Sequence, residues 1–502
     1  MSFEKPQLAA RCVSDLVWGR YAMFCAGRDG NSVAWFRDPS GSQRLYEWQI
    51  GPYTVLTDAI TPRLTHCLGQ RPKIDWHRLS QLMVQTEMAA SFSALENVDI
   101  VIPGQLRALE GQQVISETIW SPSQFARRNR HADCHEIRKT AANCMEHWLG
   151  DHSKVTVELS GGLDSSLVAA LIATSNRAPR IQGLNIIPRS PGGDESIYAR
   201  AVSEKWGFGL IETIADPGAL DYLELLKHTP VVEPAVYGLD ILADRTSSDL
   251  AAAVGATRIF SGQGGDAVFF QPHTPLIASD YLRVAGPSPR FLTLAQRCAK
   301  ADSTSIWSVL KRALTNDSTL ARRPIPIGIA GPVARNAWDA PQMVHPWMEE
   351  AQELPAGKRM QIAMLANCQL FHRATQTSQQ QRLVHPLLSQ PLVELCLATA
   401  LWELVPDERD RGFVRDCFGR LLPTLVRQRQ GKGEASGFYN RAIATHLATL
   451  RPFLLEGVLA SKGLVSPDKL SDILDPQHLL WKDDHPIVGS LVSLEIWARQ
   501  WA

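Results

Sequence analysis

Residues 155–166 run Val-Thr-Val-Glu-Leu-Ser-Gly-Gly-Leu-Asp-Ser-Ser: a short apolar strand, a glycine turn and the start of a helical pattern. This string constrains the fold more than any other. Adjacent glycines let a tight turn bring main-chain amides close to an anion. A helix beginning near Leu163 points its unpaired amides and positive dipole end into the same space. Ser160, Ser165 and Ser166 add hydroxyl donors, and Asp164 can hold a hard cation beside phosphates. The unit reads as a pyrophosphate cradle. No Lys follows the glycines as in a Gly-x4-Gly-Lys-Ser/Thr loop, so the kinase-type phosphate loop is disfavoured.

The chain has 502 residues, more than the ~250–300 a single core usually supports, so more than one domain is expected. Basic and acidic residues balance at 51 each, which argues against a nucleic-acid binder relying on bulk charge. Nine cysteines are scattered singly from Cys12 to Cys417 without a Cys-x-x-Cys pair. Neither a disulfide framework nor a zinc site is expected, and a reducing, cytoplasmic setting fits. Glu4, Lys5, Arg11 and Asp15 break any signal-peptide core, and no apolar run approaches the ~20 residues that span a bilayer.

Residues 1–125 read as β-rich. Segments 32–37 and 43–48 flank Asp38-Pro39-Ser40-Gly41-Ser42, the signal of a hairpin with a longer loop. Residues 53–56 and 98–102 are further strand candidates, and 75–93 carry helical spacing. The polar, basic stretch 121–130 reads as a solvated linker. From His131 the pattern alternates. Ile137, Ala141, Met145 and Trp148 mark a helix before the cradle. A strand follows over 180–187, a turn at 191–195 leads into a helix over 195–206, a helix covers 238–254, and a strand lies at Arg258-Ile259-Phe260. This alternation predicts a parallel sheet with helices on both faces, whose ligands sit beyond the carboxyl ends of its strands. Residues 275–502 read as mostly helical.

A second glycine loop, Ser261-Gly262-Gln263-Gly264-Gly265-Asp266, follows that last strand and places Asp266 where it can face the first loop. Two carboxylates beside a triphosphate suit Mg²⁺, commonly held by one or two carboxylates plus phosphate oxygens.

The two loops, in this order, resemble the ATP pyrophosphatase (PP-loop) domain of asparagine synthetase and its relatives, which cleave ATP between the first two phosphates to form an adenylate. Asp194-Glu195 resembles an acidic pair of that family, and His385-Pro386-Leu387-Leu388 resembles one of its C-terminal helices. Arg411-Gly412-Phe413-Val414-Arg415 and Arg429-Gln430-Gly431-Lys432 resemble its basic segments. The resemblance implies an α/β fold: a degenerate N-terminal nucleophile-hydrolase-like domain over 1–125, then a PP-loop (adenine nucleotide α hydrolase-like) synthetase domain over 131–502 with a large helical C-terminal part. It implies ATP and Mg²⁺ as cofactors. Ser160, Gly161, Gly162, Asp164, Ser165, Ser166, Gly262 and Gly264 would hold the nucleotide, Asp164 and Asp266 the metal. Lys432 and Arg411 would act on the reacting phosphates, Lys432 by stabilising the adenylation and acyl-transfer transition states.

Two departures narrow the expectation. Glutaminase members expose an N-terminal cysteine, whereas Ser2 stands here without the surrounding signature, so the amine must come with the substrate. Gln263, where asparagine synthetases tend to carry Glu and a β-lactam synthetase Tyr, cannot take a proton. The string Ser-Gly-Gln-Gly-Gly-Asp-Ala-Val-Phe-Phe, with Pro188-Arg189-Ser190 and Gly193-Asp194-Glu195, looks like the lasso-peptide cyclases. That likeness implies a macrolactam synthetase acting on a core peptide released by a leader peptidase partner, with no nucleic-acid partner. A small-molecule amide synthetase and a non-catalytic scaffold remain as alternatives.

Overall fold

The structure is a computed structural model. It describes the chain apart from residues 1–5, 27–32, 111–112, 189–193, 220, 229, 235–240, 273, 316–327, 339–342, 373–382, 408, 430, 432–435 and 483. The N-terminal strands are β1 (Ala22–Ala26), β2 (Val33–Arg37), β3 (Tyr46–Ile50), β4 (Tyr53–Thr57), β5 (Val98–Ile100), β6 (Gln105–Glu110) and β7 (Gln113–Thr118). They form two antiparallel sheets, ordered β1-β2-β6-β7 and β4-β3-β5. The expected hairpin over 32–48 is therefore corrected, because β2 and β3 belong to different sheets. The Asp38 carboxylate accepts from the backbone N–H of Ser42 and Gln43 at 3.2 and 2.8 Å. It folds 38–43 into a compact turn that sends the chain across to the second sheet. The helical spacing over 75–93 yields a shorter helix, α1 (Trp76–Val84), and a 3₁₀ turn over Thr86–Met88.

The expected linker is also corrected. Residues Pro122–Ala126 form a helical turn with Pro122, Ser123 and Ala126 buried. Arg130 exchanges backbone hydrogen bonds with Ala398 and Ala400 at 2.6 and 3.0 Å. Its small residues pack, while Gln124 and the three arginines stay in water. One apolar core joins Tyr46, Trp48, Leu79 and Val98 of the N-terminal part to Leu491, Trp497 and Trp501 of the final helix.

The second half begins with α2 (Cys134–Leu149), capped by the Asp133 carboxylate. β8 (Lys154–Glu158) leads to α3 (Leu163–Ala173), which is apolar on every side and buried on every side, as a central helix must be. β9 (Arg180–Pro188), α4 (Ser196–Trp206), β10 (Gly209–Ala215), α5 (Ile241–Val254), β11 (Arg258–Phe260) and β12 (Leu383–Val384) complete a five-stranded sheet ordered β10-β9-β8-β11-β12. Every pair is parallel; Thr156 of β8 stands beside Ile259 of β11 and Gln182 of β9. The order runs outward from β8 in one direction and from β11 in the other, so their border is the switch point where an open parallel sheet leaves a crevice. β10 and β12 have no counterpart in the sequence reading. β10 is the frayed, mostly exposed edge, and β12 has two residues, too few to show a period.

Helices Leu276–Ala285, Pro289–Ala301 and Ile306–Thr315 share a separate core with residues 400–405. Farther on come α6 (Gly412–Cys417), α7 (Thr424–Gln428) and α8 (His485–Trp501). Cys134 and Cys417 are joined by a disulfide between the start of α2 and the end of α6, with a Cα separation of 5.0 Å. This corrects the expectation of a chain without disulfides. Helix packing unites cysteines 283 positions apart, and no local spacing rule reveals that. The inference of a reducing compartment loses the support it drew from cysteine spacing. Among the described residues, no helix is long and apolar enough to cross a membrane, and no cluster of three or more His, Cys, Asp or Glu residues could hold a metal.

Candidate nucleotide site

Both glycine loops leave the carboxyl ends of the two strands at the switch point, β8 and β11. In the first, Gly161 takes φ +76°, and a Cβ there would stand 2.7 Å from Tyr198 and 2.9 Å from the Glu195 carbonyl. Only glycine lets the turn lie against the start of α4. Gly162 caps α3 with no side-chain partner, so the first amides of that helix face the crevice. Ser160 is exposed there, and its hydroxyl lies 3.1 Å from that of Ser165, which also reaches the Gly162 carbonyl at 3.3 Å. Ser166 stands apart. It is 0 % exposed and its buried hydroxyl has no partner among the described residues, so the structure sets it behind the cradle, not in it.

The second loop needs its glycines because it touches the first. A Cβ on Gly262 would come within 2.5 Å of the Ser165 backbone nitrogen, and one on Gly265 would fall on the Asp164 carboxylate. Gly264 has φ +88° and packs on Leu388. The loops are thus brought together backbone to backbone, and Asp164 and Asp266 face one another. One Arg411 amino group, Nη1, donates to both carboxylates. Its other edge pairs with Asp410 at 2.7 Å, and Asp410 in turn holds Arg415 at 2.8 Å. Arg415 spends its remaining donors on the carbonyls of Asp410, Val426 and Arg427 at 2.9–3.2 Å, so it braces this segment.

Burial pushes the Asp164 carboxyl up to about 7, against Arg411, which lowers it, and with Asp266, which raises it. Burial lowers Arg411, and the Asp164 and Asp266 carboxylates more than reverse this, leaving it above its ordinary value. Asp164 Oδ1 is buried and without a partner among the described residues. Two carboxylates, one with an orphaned oxygen, above a bed of main-chain amides fit a hard divalent ion completed by phosphate oxygens. Asp164 and Asp266 would hold Mg²⁺ there, where it would screen phosphate charge.

Sequence reading missed the contacts of Arg429 and of His385. Arg429 donates to the Gly161 carbonyl at 3.2 Å, pairs with Glu195 and lies 4.2 Å over the Tyr198 ring. It ties the basic segment to the first loop and makes Glu195 more than a helix start. Asp194, by contrast, accepts from the Ser196 N–H at 2.9 Å, as a helix start does. His385 lies at the end of β12, beside the second loop. Its Nε2–H donates to the Phe371 carbonyl at 3.0 Å, and its Nδ1 accepts from the Ser261 hydroxyl at 2.7 Å. That hydroxyl accepts from the Gln263 N–H at 3.3 Å. Burial lowers the His385 pKa to about 4, so it stays neutral and fastens the loop that carries Asp266. An apolar pair followed by His-Pro marks a strand end in retrospect, but its neighbour was not readable. Gln263 is exposed on its turn. Lys432, Ser2, Arg189, Ser190 and Gly193 lie outside the described residues.

Two touching glycine loops with facing carboxylates at the switch point of one parallel sheet define a nucleotide-using class of protein. The asparagine synthase family model matches residues 136–499, and the chain belongs to that family. No curated protein matches. Among solved structures, one match is an NH3-dependent NAD synthetase from Campylobacter jejuni subsp. jejuni NCTC 11168 in complex with the nitrate ion. It is 17% identical over 43% of this chain and 100% of that one, with a TM-score of 0.21, too low to carry an argument.

Proposed function

We propose that the chain is an ATP-dependent lasso-peptide cyclase. It adenylates an Asp or Glu side chain of a leader-cleaved core peptide, and the peptide's own N-terminal amine then attacks to close a macrolactam. The observation that carries this reading is the pair of facing carboxylates, Asp164 and Asp266, on two touching glycine loops at the switch point, with Arg411 between them. The amides of the first turn of α3 receive the phosphates with Ser160, Gly161, Gly162 and Ser165; Gly262 and Gly264 shape the facing wall. Lys432 stabilises charge on the transferring group, and Arg429 anchors the segment that bears it.

Gln263 in place of an ionisable base supports an incoming amine that needs little help. A peptide α-amine titrates near ~8, far below an amide nitrogen. Closing a short ring costs only a few kcal/mol of loop entropy in order of magnitude. Holding the amine against the adenylate recovers ~7–11 kcal/mol. In this reading residues 1–125 are a degenerate glutaminase-like domain and 131–502 the synthetase domain. The helices of 275–360 wall the cavity in which the peptide tail is threaded. A leader peptidase supplies the peptide, and the enzyme works in the cytoplasm, where ATP is plentiful.

The test is to incubate the purified chain with ATP, Mg²⁺ and a leaderless core peptide. AMP, diphosphate and a peptide lighter by one water are expected. Release of ADP and orthophosphate defeats the reading. Asparagine formed from free aspartate and ammonia moves the chain to the small-molecule members of the family.

A further inference from the structure

Arg411 occupies the place between the carboxylates that a divalent ion needs. Its Nη1 takes Asp164 Oδ2 and Asp266 Oδ1, one oxygen of each carboxylate that would hold such an ion. Its backbone sits at φ +53°, a left-handed conformation that a non-glycine residue adopts only when its surroundings enforce it. Here that conformation accompanies those same ion pairs and the one to Asp410. The cluster sets two buried guanidinium groups, Arg411 and Arg415, against three carboxyl groups, Asp164, Asp410 and the half-exposed Asp266; with all three ionised its net charge is −1.

A divalent ion arriving alone would turn that into +1 and strip Arg411, whose side chain is 7 % exposed, of two of its three partners. Leaving a buried charge unpaired is strongly unfavourable. An ion arriving with a nucleotide meets no such barrier, since the phosphates bring acceptors for the displaced guanidinium.

We infer that Arg411 is an internal stand-in for the metal, and that it makes the site specific for the metal–nucleotide complex over free metal. This rests on the nucleotide reading above. Without nucleotide, the guanidinium neutralises the facing carboxylates and shuts out free divalent ions. The metal–nucleotide complex displaces it, and Arg411 turns from the carboxylates to the phosphates. Metal binding and nucleotide binding are thereby coupled through one side chain.

The experiment uses the full chain and Mn²⁺ as probe, with free Mn²⁺ read by electron paramagnetic resonance. It is run with and without an ATP analogue that bears a methylene bridge between its first two phosphates. Wild type should bind Mn²⁺ weakly alone and at least ~10-fold more tightly with the analogue, since a binder is weakened by the fraction of time its site is closed. Arg411→Gln should bind Mn²⁺ alone about 10-fold or more tightly than wild type, and the analogue should add little. Asp266→Asn in that background should erase the gain, which locates the ion. Arg411→Lys, which keeps the charge without the fork, should fall between and serves if the glutamine variant does not fold. Equal Mn²⁺ affinity of wild type and variants without nucleotide, with the analogue binding to each, overturns the inference and leaves the nucleotide reading standing. If the analogue binds to none of them, both are lost.

Discussion

Two buried arginines serve opposite ends. Arg37, at the end of β2, is 3 % exposed and gives its donors to the carbonyls of Gln43, Val101 and Gly41 at 2.7–2.8 Å. Among the described residues, Arg411, about as buried, gives its donors to carboxylates only. A guanidinium bound to backbone carbonyls is fixed by the fold, because those neutral acceptors belong to the chain path and offer an incoming cation no full charge to neutralise. One bound to carboxylates can be replaced by any better cation. The N-terminal sheets have spent their charge on shape, while the crevice between β8 and β11 holds its charge in exchangeable form.

The sharpest way to break this contrast is Arg37→Ala. With three carbonyls orphaned and the Asp38 carboxylate left without its neighbouring cation, a loss of about 3–5 kcal/mol is expected in urea titrations. Arg411→Ala should cost less, because Asp164, whose carboxyl burial already holds at about 7, can answer the loss of its cation by taking up a proton, and the variant should fail to release diphosphate. Next in size is Asp266→Asn. It should cut AMP formation roughly 10²–10³-fold, by analogy with losing one donor at developing charge, and leave circular dichroism unchanged. Near-normal turnover would remove the carboxylate pair from the chemistry.

Third comes acid. His385 is neutral and held near 4 against an ordinary 6.5, so the unfolded chain takes up a proton that the native one refuses. Its contribution is whole above pH 6.5 and is lost as pH falls toward 4, for a total of about 3 kcal/mol. Melting temperatures between pH 7 and 4.5 should fall, and His385→Gln should flatten that slope. An unchanged slope would deny that His385 is the neutral clasp of the second loop. The smallest effect is that of Gly264→Ala. Its φ of +88° and the contact with Leu388 should cost about 1–3 kcal/mol, and should raise the KM for ATP more than they lower stability.

The cradle was legible because its chemistry is local. Residues 160–166 and 261–266 each declare turn, anion and helix start within a few positions, and their order gives the parallel sheet. The partners of those residues were not legible. Nothing near Ser261 announces His385, and nothing near Gly161 announces Arg429, since the first pair meets through the sheet order and the second through the packing of a distant helical segment. The glycines of the second loop carry a reason the sequence did not show, for they are contact surfaces against Asp164 and Ser165 as much as turn formers. Ser166 misled for the converse reason. On a helix, the serine after Ser165 turns to another face, and here that face is the core. The hairpin over 32–48 failed because alternation reveals strands but not which sheet they join.

The disulfide between Cys134 and Cys417 has a topological consequence. It closes a covalent ring that contains Asp164, Asp266 and Arg411 together. A protease that severs one peptide bond anywhere between those cysteines would yield two fragments that still migrate as a single species until a thiol reagent is added, and the three charges would remain tethered in one molecule.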